Sequence, residues 1–302
     1  MTSDLRDLLA ALTPLPDKAD AYAADTYVQE TVGQLDEIGM DAARFARGHS
    51  MLLMKPDAIV ARAVEPTLEW LRDSNFRVVS ARTVVADRHF VRALWYFAWN
   101  IASPERRRLA DLLIGISEAL VLVVCGPEDE LPTPVRLTSA KGATDPRKRR
   151  PGELRHLLGR DNYLLNLVHS PDDPADVLRE FAIYFDERAR ARALAQVCAG
   201  TDRSAEAAEL ADALYSRTPA RDFDRGTALD RILADLGETP GGLDPDADED
   251  CARLLRGAWA ADRTIDPWSA IVLGSHVLPM RTGSAPQTLR PVGAHDWLEG
   301  RS

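Results

Sequence analysis

Cysteine is scarce in this sequence, and paired cysteine is absent. Only Cys125, Cys198 and Cys251 occur in 302 residues, widely spaced, odd in number and without a C-x-x-C pair. That argues against a disulfide framework or a thiolate zinc site as the organising principle. Long hydrophobic runs are missing too. No stretch reaches the ~18 consecutive apolar residues that a membrane span needs. The start, Met1-Thr2-Ser3-Asp4, is acidic where a secretory leader would be basic. Positive charge is also in deficit: the formal net charge is −10, which argues against a surface built to coat nucleic acid. There is no internal repeat. These absences predict a soluble, cytoplasmic protein with neither nucleic-acid nor membrane partners, and with enough chain for one large or two small domains.

What is present divides into three stretches. Residues 1–47 read as an N-terminal helical segment. Leu5, Leu8, Leu9 and Leu12 recur at helical spacing before Pro14 and Pro16, and a second helical pattern runs from Lys18 to Ile38. Residues 48–187 alternate strand and helix. Met51 to Met54, Arg77 to Val85, Ala119 to Val124 and Tyr163 to Val168 read as strands. Glu65 to Ser74, Asp87 to Trp99, Pro104 to Ile114 and Pro174 to Tyr184 read as helices. Gly126 to Gly159 reads as a polar, Pro-rich loop carrying the basic run Arg147-Lys148-Arg149-Arg150, most simply a solvated face. The fold class this predicts is α+β: a ferredoxin-like βαββαβ antiparallel sheet with helices on one face, flanked by helical segments. Residues 188–302 read as a C-terminal helical region with a break at 237–250 and an irregular tail, and Trp259, Trp268 and Trp297 as helix packing.

The chemistry concentrates in the middle stretch. His169 ends the run Asn166-Leu167-Val168-His169, just before a helix start at Ser170-Pro171-Asp172-Asp173-Pro174. Upstream lie Lys55-Pro56-Asp57 after an apolar strand, Thr144-Asp145-Pro146, and Arg155 eleven residues beyond Thr144. An unprotonated imidazole is a competent nucleophile near neutral pH. Lysine offers a point charge to a terminal phosphate, and arginine a bidentate fork. The set points to phosphoryl transfer with a histidine nucleophile.

These motifs resemble the nucleoside diphosphate kinase family. The resemblance rests on Met54-Lys55-Pro56-Asp57, Gly142-Ala143-Thr144-Asp145-Pro146, Pro151-Gly152-Glu153-Leu154-Arg155 and Asn166-x-x-His169, in that order. It implies that a nucleoside triphosphate phosphorylates His169 and that an acceptor diphosphate then removes the phosphate. It implies Glu180 as the carboxylate on the histidine, and Lys55, Thr144 and Arg155 on phosphates. Asn166 would hold a ribose hydroxyl, and Mg2+ would be carried mainly by the nucleotide and water. It also implies a homo-oligomer, which the flanking segments could block. The alternatives are a phosphotransferase with a different acceptor and a non-catalytic nucleotide-binding or assembly module.

The sequence departs from the family pattern at several points. Ala58 stands where glycine is usual, Pro171 where a serine follows the histidine, and Thr138 where an arginine approaches the phosphates. Arg136 or Lys141 could substitute for that arginine. The base-stacking aromatic falls near Arg107, whose plane could stack in its place. Tyr96 is the available candidate for a phosphate-contacting tyrosine.

Overall fold

The sequence's most apolar runs become the two central strands of a four-stranded sheet. In the computed structural model, which describes residues 2–127, 130–237 and 241–299, the strands are β1 (His49–Met54), β2 (Arg77–Val84), β3 (Ala119–Cys125) and β4 (Val168–His169). Their order is β2-β3-β1-β4 and every pairing is antiparallel. With the intervening helices this is the ferredoxin-like βαββαβ arrangement.

Strands this apolar need cover on both sides, and both sides are covered. The expectation of helices on one face is corrected here. Met51, Leu53, Val121 and Val123 point to one core, and Leu52, Met54, Leu120 and Leu122 to the other. On the first side lie α11 (Pro174–Tyr184) and the N-terminal helices α1 (Thr2–Ala10), α2 (Pro16–Ala23), α3 (Thr26–Glu37) and α4 (Ala42–Gly48). On the second lie α5 (Pro56–Val60), α6 (Val64–Asp73) and, from the C-terminal region, α13 (Ser204–Arg217). Between β2 and β3 run α7 (Arg88–Leu94) and α8 (Pro104–Ile114), and α8 in turn packs on α16 (Pro267–Val277), which carries α14 (Arg225–Leu236) and α15 (Asp248–Ala260). The outer edge of β2 is covered by α12 (Glu187–Ala199) and α13. Arg203 N–H donates to the Val78 carbonyl at 2.8 Å, and Ser80 Oγ donates to Gln196 at 2.6 Å.

Local chemistry explains where the elements begin. Asp87, Ser103 and Asp173 each accept a hydrogen bond from the backbone N–H three residues on, and proline follows Ser103 and Asp173 at the first helical position. Several boundaries differ from the sequence expectation. The helix read over 18–38 is two helices, because Asp25 turns its side chain back to Tyr27 N–H and caps a new start. The loop read over 126–159 contains α9 (Thr133–Lys141) and α10 (Leu154–Leu157), since Pro134 sits in a helical first turn and does not interrupt one. The helix α16 carries no amphipathic stripe because Trp268 to Ser275 are all buried. The strand read over 163–168 shrinks to β4. The break at 237–250 includes residues 238–240, which lie outside the described residues. Among the described residues, no helix is long and apolar enough to cross a membrane.

Candidate active site

Residues 162–169 fail to form a full strand because the chain is held in a different shape. Asn162 accepts from the N–H groups of Leu164 and Leu165. Leu167, fully buried, has φ +67°, a left-handed conformation costing a non-glycine residue about 1–2 kcal/mol. Its surroundings enforce it. Leu167 N–H donates to Asp57 at 3.0 Å, and the Leu167 carbonyl accepts from Lys55 N–H at 2.9 Å. The strained residue lets Asn166 and His169 line the same cavity on either side of a buried leucine.

His169 then pairs with Leu53 at the edge of the sheet. Its Nε2 lies 3.0 and 3.1 Å from the two Glu180 oxygens, and Glu180 also accepts from Tyr184 Oη at 2.8 Å. An ionised carboxylate only accepts, so this contact puts the ring proton on Nε2 and leaves a lone pair on Nδ1. The Trp95 ring meets the imidazole edge-on, 5.3 Å between centroids. The imidazole remains 21% exposed, which keeps it reachable.

Lys55, Thr144, Arg155, Asn166, His169 and Glu180 all line one cavity of about 890 Å³. Lys55 Nζ donates to the Leu164 carbonyl at 2.8 Å and lies 3.3 Å from Asp57, and burial lowers its affinity for a proton against the pull of Asp57. Arg155 is buried and donates to the carbonyls of Gly142 and Val168 and to Thr144 Oγ1, while its Nε has no hydrogen-bond partner. Burial, then the neighbouring Arg149, brings its pKa down to about 10. Gly142 has to be glycine. Its φ is +89°, and an added Cβ would lie 2.3 Å from a Glu153 carboxylate oxygen. Asn166 Nδ2 is turned to its own loop, donating to the Tyr163 carbonyl at 2.9 Å.

Two expected residues lie outside this lining. Arg107 is exposed and donates to the Trp99 carbonyl. The cavity receives its neighbour Arg106, whose guanidinium lies 5.2 Å from the Tyr163 ring centroid. Arg136 is on α9 and does not line the cavity, whereas Lys141, at the end of that helix, does. A one-residue change of helical phase moves a side chain by ~100°, which the sequence pattern over 87–114 left undetermined. Tyr96 likewise points outward, 65% exposed, and Trp95 takes the inward position. Thr138 holds the turn after the histidine, bonding Ser170 Oγ and donating to the Pro171 carbonyl.

Sequence reasoning named Lys141 as a stand-in for the missing arginine but not its bond to Ser170, and it missed two further features. Lys141 Nζ donates to Ser170 Oγ at 2.7 Å, and burial, reinforced by Arg155, lowers its pKa to about 7. Lys18 from α2 reaches the cavity from outside the middle stretch. The tail at 281–293 lines the rim, with Thr282 N–H donating to Ile101 and Leu289 N–H to Phe97. Nothing in the periodicity of the tail signals this. The basic run is only partly solvated: Arg149 braces the loop through the carbonyls of Ala143, Thr144 and Asn162. Among the described residues, no group of three or more His, Cys, Asp or Glu is placed to hold a metal ion.

Comparison with known proteins identifies the same stretch. A family model described as nucleoside diphosphate kinase matches residues 48–189. The nucleoside diphosphate kinase of Bdellovibrio bacteriovorus is 26% identical over 135 residues, spanning 45% of this chain and 90% of the relative. That of a Roseiflexus species is 29% identical over 139 residues, spanning 45% and 86%. Among solved structures, the nucleoside diphosphate kinase of Aquifex aeolicus aligns with a TM-score of 0.40 at 19% identity, covering 47% of this chain and 97% of its own.

Proposed function

We propose, from the premise that residues 48–189 belong to the nucleoside diphosphate kinase family, that this chain moves the γ-phosphate of a nucleoside triphosphate to a nucleoside diphosphate through a phosphohistidine on His169. The observation that carries this reading is the clamp of Nε2 by Glu180, with Nδ1 left unpaired among the described residues, in a cavity that also holds Lys55, Lys141 and Arg155.

The Nδ1 lone pair attacks the γ-phosphorus, the bond to the β–γ bridging oxygen breaks, and the nucleoside diphosphate leaves. Glu180 stabilises the positive charge that develops on the ring. In the second half an oxygen of the acceptor's terminal phosphate attacks, the P–N bond breaks, and Nδ1 regains its lone pair. Lys55, Lys141 and Arg155 neutralise phosphate oxygens, Thr144 donates its hydroxyl to one, and Asn166 holds a ribose hydroxyl. The base stacks on Arg106 and Tyr163 in place of Arg107. Magnesium held by the nucleotide's own phosphates and water would supply further charge neutralisation there.

A protein incubated with γ-labelled ATP is expected to take up acid-labile, alkali-stable label and to release it to a panel of nucleoside diphosphates. Label that transfers to none of them would favour the different-acceptor reading. Absence of label would leave a non-catalytic module.

Lys141 makes binding depend on pH. With a pKa of about 7 it is half neutral at neutral pH, and a polyphosphate favours its charged form. Binding therefore takes up a proton, and affinity for a non-hydrolysable triphosphate is expected to fall as pH rises from 6.5 to 8.5. The slope is at most about tenfold per pH unit. Lys141→Arg, whose guanidinium stays charged, should flatten the profile. Titration by calorimetry in two buffers of different ionisation enthalpy checks both the slope and the proton uptake.

A further inference from the structure

The helix after His169 begins with a concentration of carboxyl groups unusual for a phosphate-handling turn, although burial raises the pKa of Asp172 and brings that of Asp173 up to about 7. Asp172, Asp173, Asp176 and Glu180 lie within the first turns of α11 or just before it, and a phosphorylated histidine would add about two more negative charges at neutral pH. The domain that matches the family model begins at residue 48, yet the cation seated among these carboxylates comes from before it. Lys18 Nζ, 4% exposed, lies 3.0 Å from Asp173 and 2.6 Å from Asp176. Its neighbour Tyr22 donates to the second Asp176 oxygen at 2.6 Å, and Thr13 Oγ1 donates to Asp173 at 2.6 Å. Lys18 and His169 line the same cavity, and both act electrostatically on Asp172.

From this arrangement we infer that Lys18 is a positioning residue of the phosphohistidine site: by neutralising the Asp173–Asp176 turn it sets how far His169 is phosphorylated at a given ratio of nucleoside triphosphate to diphosphate. The N-terminal helices then serve the chemistry as well as the core. This inference rests on the phosphohistidine reading above and deepens it. Burial opposes the charge on Lys18, but Asp173 and Asp176 outweigh burial and keep the ammonium protonated well above its ordinary range. Attraction between a unit charge and a dianion across about 6 Å is worth roughly a tenfold factor even when screened as in water.

The test measures, on folded full-length protein, the triphosphate-to-diphosphate ratio at which half of His169 carries acid-labile phosphate. Lys18→Met is expected to require a ratio about tenfold higher than wild type. Asp176→Asn removes negative charge from the same turn and is expected to move the midpoint the other way, by a similar factor. The double variant, neutral at both positions, should return close to wild type, and Lys18→Arg should stay there. A packing role would change thermal stability but not this equilibrium between two folded states. If Lys18→Met strands its partners and does not fold, Asp176→Asn carries the test, because it leaves Lys18 paired with Asp173. Midpoints unchanged across the folded variants, with wild type labelled, would overturn this inference alone. An unlabelled wild type would overturn the phosphohistidine reading and this inference with it.

Discussion

A His169→Ala protein is expected to take up no acid-labile phosphate from a γ-labelled nucleoside triphosphate while still binding the nucleotide. The separation follows from the geometry. Nδ1 is the only atom of the Glu180-clamped ring with a free lone pair, whereas the charges that Lys55, Lys141 and Arg155 bring to the cavity belong to other segments. Loss of the nucleophile removes the covalent step outright, so the label should fall to background. The fold should tolerate the change, because Glu180 keeps its bond from Tyr184 and the imidazole is partly exposed. His169→Gln should behave alike: an amide at that position can still donate to Glu180 but cannot carry the phosphate. Equal labelling of wild type and His169→Ala would place the nucleophile elsewhere.

The second large effect belongs to Arg155. This side chain ties two pieces of chain together: the 142–144 turn, through the Gly142 carbonyl and Thr144 Oγ1, and the Val168 carbonyl one residue from His169. Arg155→Met leaves two buried carbonyls without their charged donor and removes a cation from the cavity in one step. Each charge-assisted bond is worth about 1.5–3 kcal/mol. The rate of His169 phosphorylation is therefore expected to fall by roughly 100- to 1,000-fold, with a clear drop in thermal midpoint. Arg155→Lys should recover little, since one ammonium cannot reach acceptors that lie on different sides of a planar fork. Single-turnover labelling together with thermal denaturation measures both parts. A rate within threefold of wild type would remove Arg155 from the phosphate machinery.

Which features the sequence disclosed follows from what each depends on. β1 and β3 were legible because burial on both faces writes itself as an unbroken apolar run, and the helix starts at Asp87, Pro104 and Pro174 because capping and first-turn proline are local. The residues from Lys55 to Glu180 that meet in one cavity were legible as an ordered set of motifs. Arg106 and Arg107 were not distinguishable, because neighbouring positions on a short helix differ only in phase, and phase is decided by what α8 packs against. Lys18 was invisible for a different reason. It reads as one more surface lysine on a polar helix, and only the docking of α2 against α11 buries it. The strained Leu167 has no sequence signature, since left-handed backbone usually announces itself as glycine.

The cover over the β2 edge bears on how copies of this chain meet. A bare edge strand is an open template that a neighbour can extend. Here the Arg203 N–H has already taken up the Val78 carbonyl, and Gln196 accepts from the Ser80 hydroxyl beside it, so β2 meets its own chain at that point. A copy extending β2 would first have to displace the Arg203 bond to Val78.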